Sequence, residues 1–137
     1  MAEDLKALAR RAYAIMSGGD LDELDELMVP GFIDHDPEPD QVPGAEGVKE
    51  AFRRLRSGFP DLKLAPEAMY VEGDTLIARG RDTGTHGGDY FGIPPTGKSV
   101  DVTGIDIVRI EEGKAVERWG VFDALKLMQQ LGQVPDA

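Results

Sequence analysis

Along the first half of the chain, apolar residues recur every three or four positions with charged residues between them. This spacing predicts three amphipathic helices, over residues 4–16, 21–28 and 45–57. Gly18 follows the first segment, Asp20 and Glu23 have the form of a capping box at the start of the second, and Pro30 follows its end. We expect the first two helices to form a hairpin.

After Pro60 the period changes from about 3.6 toward about 2, which predicts β-strands. The four long candidates are Leu62–Val71, Leu76–His86, Val100–Ile110 and Val116–Phe122. Their short turns favour antiparallel neighbours, because parallel neighbours need crossover helices. Residues 31–35 are predicted to be extended, residues 36–43 to form a Pro- and Asp-rich loop at the rim of a pocket, and residues 124–131 to form a last helix.

Helices followed by strands predict one α+β domain over residues 1–137, with three N-terminal helices packed on a curved antiparallel sheet. A strongly bent sheet that wraps around a helix leaves a cavity at its open end. We expect the functional site in that cavity.

Composition excludes several kinds of partner and chemistry. With 15 basic and 26 acidic residues the net charge is −11, which argues against binding to nucleic acid or to a membrane surface. The chain has no cysteine, so thiol chemistry and disulfides are excluded. An apolar span and a basic, then apolar, signal-type start are both missing, so we expect a cytoplasmic protein.

Common cofactor and nucleophile motifs are also missing. His35 and His86 are the two histidines, so a three-histidine zinc site cannot be built. No serine lies in a Gly-x-Ser-x-Gly elbow, and neither a P-loop nor a Gly-x-Gly-x-x-Gly fingerprint occurs. We therefore expect no metal and no other cofactor, and a neutral organic ligand or a protein as the partner.

Seven short segments occur in a fixed order along the chain. They are Phe59-Pro60-Asp61-Leu62, Glu72-Gly73-Asp74, Gly84-Thr85-His86, the run from Gly92 to Lys98, Arg109-Ile110 with Gly113-Lys114, Glu117-x-Trp119, and Gln130-Leu131-Gly132. This set resembles the SnoaL-like family of polyketide ester cyclases, from the first helix to the last. The resemblance implies the cone-shaped fold of nuclear transport factor two, a homo-oligomer, often a dimer, and an apolar pocket for cofactor-free aldol condensation.

The sequence departs from the family pattern at three positions. In the cyclases the catalytic aspartate follows the tryptophan of the last strand, where this chain has Gly120. Asp123 lies three residues further on, and strand alternation places it on the face opposite position 120 unless the strand has ended. The cyclases also carry a histidine and a tyrosine where this chain has Asp34 and His35.

Two aspartates are candidate catalytic bases. Asp106 interrupts an apolar strand, where burial would raise the pKa of its carboxyl toward the range of a general acid or base. Alternatively it points outward or forms an ion pair; the arginines considered as partners are Arg79, Arg81 and Arg109. Asp123 has two interpretations that are compatible with each other, a pocket residue and the N-cap of the last helix.

The two histidines are candidate groups for polarising the substrate oxygen, and each has a structural alternative. His35 ends the segment that enters the predicted pocket, and His86 ends a long strand, where an open cone has its mouth. The neighbouring Asp34 and Asp36 would favour the protonated form of His35, which suits a proton donor. The alternative for each histidine is a surface or structural role.

Four aromatic residues are candidate substrate-binding side chains: Phe59, Tyr70, Tyr90 and Trp119. The single tryptophan suits a pocket wall, a dimer contact or core packing equally. A tyrosine hydroxyl can donate to an enolate oxygen, although the context of Tyr70 and Tyr90 also fits core or rim positions. Arg79 and Arg81 share a strand face and can bind a carboxylate, but structural ion pairs are favoured.

The leading prediction is an enzyme, a cyclase, isomerase or lyase, that moves a proton next to the carbonyl group of a small hydrophobic compound. Two alternatives stay open. One is a ligand-binding or dimerisation module of the same fold without catalytic activity. The less favoured one is epoxide hydrolysis by Asp106, Arg109 and Asp123. Apolar positions on the long strands also predict a homodimer through the sheet.

Overall fold

The computed structural model describes residues 2–136. The elements in chain order are α1 (Ala2–Gly18), a 3-10 helix (Leu21–Glu26), β1 (Met28–Asp34), α2 (Gly44–Gly58), β2 (Lys63–Glu72), β3 (Thr75–Thr85), β4 (Ser99–Glu111), β5 (Lys114–Phe122) and α3 (Ala124–Gln130). The predicted α+β class is confirmed, with helices packed on one face of an open, curved sheet. None of the helices in residues 2–136 is long and apolar enough to cross a membrane.

The five strands form one sheet in the order β1-β5-β4-β3-β2. Strands β2 to β5 are antiparallel, as predicted; short turns join β2 to β3 and β4 to β5, and a longer loop over residues 86–98 joins β3 to β4. The preference for antiparallel pairing does not extend to β1, which lies parallel to β5. The chain between these two strands contains α2 and three further strands, so it is long enough for a crossover connection.

The predicted second helix is wrong in type and length. Residues 21–26 form a 3-10 helix, and the chain is already extended at Met28. Leu21, Leu24 and Leu27 are spaced by three and all are buried, a pattern that suits the threefold 3-10 turn as well as an α-helix. The Asp20 side chain accepts a hydrogen bond from the Asp22 backbone N–H, so Asp20 caps this helix, but within residues 2–136 the Glu23 side chain does not complete the predicted capping box.

Alternation along β3 and β4 sorts their residues onto two faces. The face toward the helices carries the buried residues Leu76, Ala78, Val100 and Val102. α1 packs against β2, and α2 packs against β1. The buried core therefore lies between the N-terminal helices and this inner face, with an open space left in its middle.

Candidate functional site

A cavity of about 490 Å³ lies between the helices and the inner face of the sheet. Most of its lining is apolar and comes from all three α-helices and all five strands. Among residues 2–136 the charged side chains that line it are Asp34, Asp36, Glu38, Asp82, Asp106 and Arg118. A single guanidinium therefore faces several carboxyl groups inside an otherwise apolar space.

Asp106 is the centre of a hydrogen-bonded group in this cavity. The Tyr13 hydroxyl donates to Asp106 Oδ2 over 2.8 Å. Arg118 approaches the other carboxylate oxygen with Nε at 2.9 Å and Nη2 at 2.8 Å. The sequence hypothesis that Asp106 faces inward agrees with this geometry, and its ion-pair partner is Arg118 and not one of the three arginines considered from the sequence.

Arg118 links two carboxylates and a loop. Its Nη1 donates to Asp34 Oδ1 over 2.9 Å and to the Asp36 carbonyl oxygen over 3.3 Å. Burial acts to lower the pKa of Arg118, but the charges of Asp106 and Asp34 outweigh burial and raise it. Arg118 thus stays cationic and joins β5 to the loop that follows β1.

The lack of a side chain at Gly120 leaves room for the guanidinium of Arg118. Gly120 pairs with Asp106 across β4 and β5 and lies on the same inner face as Arg118. A Cβ on Gly120 would collide with the guanidinium of Arg118 and lie 2.6 Å from Asp106 Oδ1. The space that a side chain at position 120 would occupy is therefore filled by the Arg118–Asp106 pair.

Asp82 is the second aspartate on the sheet wall of the cavity. Within residues 2–136 its carboxyl group forms no hydrogen bond or ion pair. Burial and the charge of Asp106 raise the pKa of Asp82 to about 6, and Arg118 acts against this rise. Burial, followed by the charge of Asp106, also raises the pKa of Tyr13.

Two of the predicted aromatic residues line the cavity. Phe59 and Tyr90 are both almost fully buried, and their rings meet edge to face at 5.5 Å. Burial raises the pKa of Tyr90 to about 12. Both rings contribute apolar wall, and the Tyr90 hydroxyl stays protonated at neutral pH.

The other two aromatic candidates and one histidine lie outside the cavity. The His35 ring stacks on Trp119 with a centroid distance of 4.6 Å, and His35 Nε2 lies 2.7 Å from Glu117 Oε2. Trp119 follows Arg118 in β5, so alternation places it on the outer face of the sheet. Tyr70 is 59% exposed on β2. The structure therefore does not bring His35, Trp119 or Tyr70 next to Asp106.

His86 and Asp123 have structural positions. His86 is fully buried, stacks on Phe59 and accepts a hydrogen bond at Nδ1 from the Thr96 backbone N–H over 3.2 Å. Asp123 caps α3, accepting a hydrogen bond from the Lys126 backbone N–H. Neither residue lines the cavity.

The arginine of the epoxide hypothesis also lies elsewhere. Arg109 donates to Glu117 over 2.6 Å and pairs with Glu111. The predicted set of Asp106, Arg109 and Asp123 is therefore not assembled. Among residues 2–136, no group of three or more histidine, aspartate or glutamate side chains is arranged to hold a metal ion.

The site residues chosen from the sequence did not include seven polar residues that line the cavity: Tyr13, Asp34, Asp36, Glu38, Gln41, Asp82 and Arg118. A usable signal existed for Arg118, which shares a strand face with Gly120 by alternation. Asp82 gave no such signal, because its neighbours Arg81 and Thr83 are polar as well.

Comparisons with known proteins agree with this fold. The sequence model of the family described as SnoaL-like polyketide cyclase matches residues 6–131. Two aklanonic acid methyl ester cyclases, DauD of a Streptomyces species and DnrD of Streptomyces peucetius, are each 29% identical over 92% of this chain, which spans 80% and 89% of their lengths. The structure of TsrD from Streptomyces laurentii is 34% identical, with a TM-score of 0.89 over 98% of both chains.

These matches define the class of protein. The chain belongs to the SnoaL-like polyketide cyclase family.

Proposed function

We propose that this protein closes a carbon ring in a polyketide-derived ester, by moving a proton next to a carbonyl group inside the cavity and without a cofactor. The observation that carries the proposal is the polar centre of Tyr13, Asp106 and Arg118 in an otherwise apolar cavity. The similarity to two methyl ester cyclases supports the substrate class.

Arg118 supplies the positive charge for this chemistry. Removing a proton next to a carbonyl group places negative charge on the carbonyl oxygen, and a positioned donor in a dry site stabilises that charge. Asp106 holds the guanidinium beside Gly120, and the hydrogen bond from Tyr13 holds Asp106. The sequence hypothesis also makes Asp106 the proton acceptor.

Ring closure of aklanonic acid methyl ester tests the proposal, with a panel of other polyketide methyl esters beside it. Ring closure by this route leaves the mass unchanged and removes a proton from carbon, so NMR spectroscopy reports it directly. We expect the wild-type protein to accelerate the reaction over buffer, and Arg118→Met to lower the rate about 100-fold or more. Glu67→Gln serves as the control, because Glu67 is the ion-pair partner of Arg79 and lies away from the cavity.

Binding of these esters without turnover would contradict the proposal and would support the alternative of a binding module. A bound ester whose α-proton persists identifies that outcome.

A second candidate function rests on the way Arg118 joins Asp34 and Asp106. This is an aspartate, arginine, aspartate arrangement, formed by different residues from those predicted. Such a set can activate a water molecule with one carboxylate and protonate an epoxide oxygen with the other carboxyl group. A panel of hydrophobic epoxides tests it, since a diol formed by addition of one water would be the product. If none of the epoxides gives a diol, this function is excluded.

A further inference from the structure

At three positions, all glycines, the sheet wall of the cavity has no side chain. Gly80 on β3 pairs directly with Gly104 on β4, and Gly120 on β5 pairs with Asp106, the next inward residue of β4. All three line the cavity. A strip of bare backbone therefore crosses three neighbouring strands.

Packing accounts for two of these glycines but not for the third. A Cβ on Gly80 would lie 2.7 Å from the Ala65 carbonyl oxygen, and a Cβ on Gly120 would collide with Arg118. A Cβ on Gly104 would meet its nearest atom, Asp82 Oδ2, at 3.4 Å, which is an ordinary contact. The protein therefore leaves room for a group the size of a methyl above Gly104, with Asp82 Oδ2, the Val121 carbonyl oxygen and Phe122 Cβ at 3.4–3.7 Å, and Gly104 lines the cavity.

Asp82 and Asp106 lie on either side of this space and differ in their partners. The Asp82 carboxyl group lies next to the position of a Cβ on Gly104. Asp106 is the next residue of β4 after Gly104 that faces the cavity. Asp106 accepts a hydrogen bond from Tyr13 at one carboxylate oxygen and from Arg118 at the other. Asp82 accepts none from residues 2–136 and so keeps its lone pairs free for a substrate proton.

We propose that Asp82, and not Asp106, is the catalytic base, and that the substrate lies on Gly104 between Asp82 and the guanidinium of Arg118. This inference rests on the proposed function. It gives Asp106 the role of a positioning residue, which holds Arg118 where the carbonyl oxygen develops its charge.

The step balances without a further reactant. The Asp82 carboxylate removes a proton from the carbon next to the carbonyl group, and the C–H electron pair forms the enolate. The enolate carbon then bonds to a second carbonyl carbon of the same molecule, and the electron pair of that C=O bond moves to its oxygen. This oxygen takes the proton from Asp82, directly or through water, so a proton has moved from carbon to oxygen and Asp82 is a carboxylate again.

The electrostatic surroundings of Asp82 suit this role. Tyr13 from α1, Asp106 from β4 and Arg118 from β5 are the titratable and charged groups that act on it. The pKa of Asp82 is raised to about 6, above that of an ordinary aspartate. A base is most effective when its pKa lies near the working pH, where it is ionised and still strongly basic.

Hydrogen–deuterium exchange next to a carbonyl group isolates the proposed step from ring closure. The probe is an aromatic ketone without a second carbonyl group, followed by NMR spectroscopy in D₂O. We expect wild-type exchange to increase with pH and to level off above about 6. Asp82→Asn is expected to lower the exchange rate about 100-fold or more and to abolish its increase with pH.

Two further variants and one control separate the base from its surroundings. Asp106→Asn is expected to lower exchange and to keep an increase with pH, because Asp82 is intact, but to move this increase to lower pH, because the charge of Asp106 no longer raises the pKa of Asp82. Gly104→Ala is expected to keep the stability of the wild type and to weaken binding of the ketone, because the methyl group enters the space above residue 104. Asp101→Asn, which changes a carboxylate paired with Arg81, is expected to leave exchange unchanged.

The inference would be overturned if Asp82→Asn exchanged within about threefold of the wild-type rate. It would also be overturned if the exchange rate of that variant increased with pH as in the wild type, or if the wild type showed no exchange. Asp82-dependent exchange without closure of any ester would overturn the proposed function alone. Ring closure that does not depend on Asp82 would overturn this inference alone.

Discussion

The unpartnered carboxyl group of Asp82 lowers the stability of the folded protein. Its pKa is about 6 in the folded state and near the ordinary value of 3.8 in the unfolded chain. Between these pH values the folded state binds more protons, so the free energy of unfolding falls as pH rises. The loss is complete above about pH 6 and amounts to at most about 3 kcal/mol.

Asp82→Asn is therefore expected to be more stable than the wild type at neutral pH, by about 1–3 kcal/mol, and equal to it below about pH 4. Urea unfolding of both proteins at several pH values between 4 and 7 measures the difference. A difference that stays constant over this range would contradict the raised pKa. A residue that reduces stability in this way is typical of a functional site.

His86 connects the end of β3 to the loop before β4. Its backbone N–H donates to Lys98 O, its carbonyl oxygen accepts from the Gly97 N–H, and its ring accepts from the Thr96 N–H. We expect His86→Ala to lower the free energy of unfolding by about 2–4 kcal/mol, because it opens a cavity and leaves the Thr96 N–H unpaired. Thr96→Ala removes the hydroxyl group but keeps both the His86 ring and the Thr96 N–H. It is expected to lower the free energy of unfolding by about 1 kcal/mol in the same urea titration. Equal losses in the two variants would show that the ring of His86 is dispensable.

At the level of elements, β5 positions the site by joining the sheet to the loop after β1. Arg118 and Gly120 both face inward, and the Gly120 N–H donates to Asp36 Oδ2. Gly120→Ala places a methyl group where the guanidinium of Arg118 lies, so Arg118 must give up its contact with Asp106. We expect at least about a tenfold loss of turnover with a small change in melting temperature.

Gly31→Ala is the matched control for this prediction, since a Cβ on Gly31 would meet no atom within 4 Å. Normal turnover by Gly120→Ala would show that the position of Arg118 does not matter for the reaction.

The sequence predicts the long strands well and the short first strand poorly. β2 to β5 begin and end within two residues of their predicted bounds, because alternation and turn residues are local signals. The parallel pairing of β1 depends on contacts far apart in sequence, which no local pattern contains. The 3-10 helix was missed because leucines spaced by three fit both helix types.

The candidate site was predicted only in part, for a related reason. Alternation divides each strand into two faces but does not say which one is inside when both are apolar. On β4 the inner face carries Val100 and Val102, and the outer face carries Ile105 and Ile107. Asp106 stood out against these apolar neighbours, whereas Asp82 lies in a polar stretch of β3.

For the molecule as a whole, the apolar outer face of the sheet is the feature that remains to be covered. Ile105, Ile107, Trp119 and Val121 lie there on neighbouring strands and are between 37% and 67% exposed. The last helix does not cover this face, because its buried residue Leu127 packs with Val100 and Val102 on the inner side. A contiguous exposed patch of this kind is typical of an interface.

We propose that two copies pack through this face, as the sequence predicts. A twofold contact is the commonest closed arrangement of identical chains, and it would shield the patch despite the net charge of −11. Light scattering at micromolar concentration is expected to give twice the chain mass of 14.9 kDa. Ile107→Lys places a charge at the centre of the patch and is expected to give the monomer mass, whereas Val42→Lys, at an exposed residue of the loop before α2, is expected to stay dimeric. A wild-type mass near 14.9 kDa that does not rise with concentration would contradict the dimer, because the patch would then be stable in water without a partner.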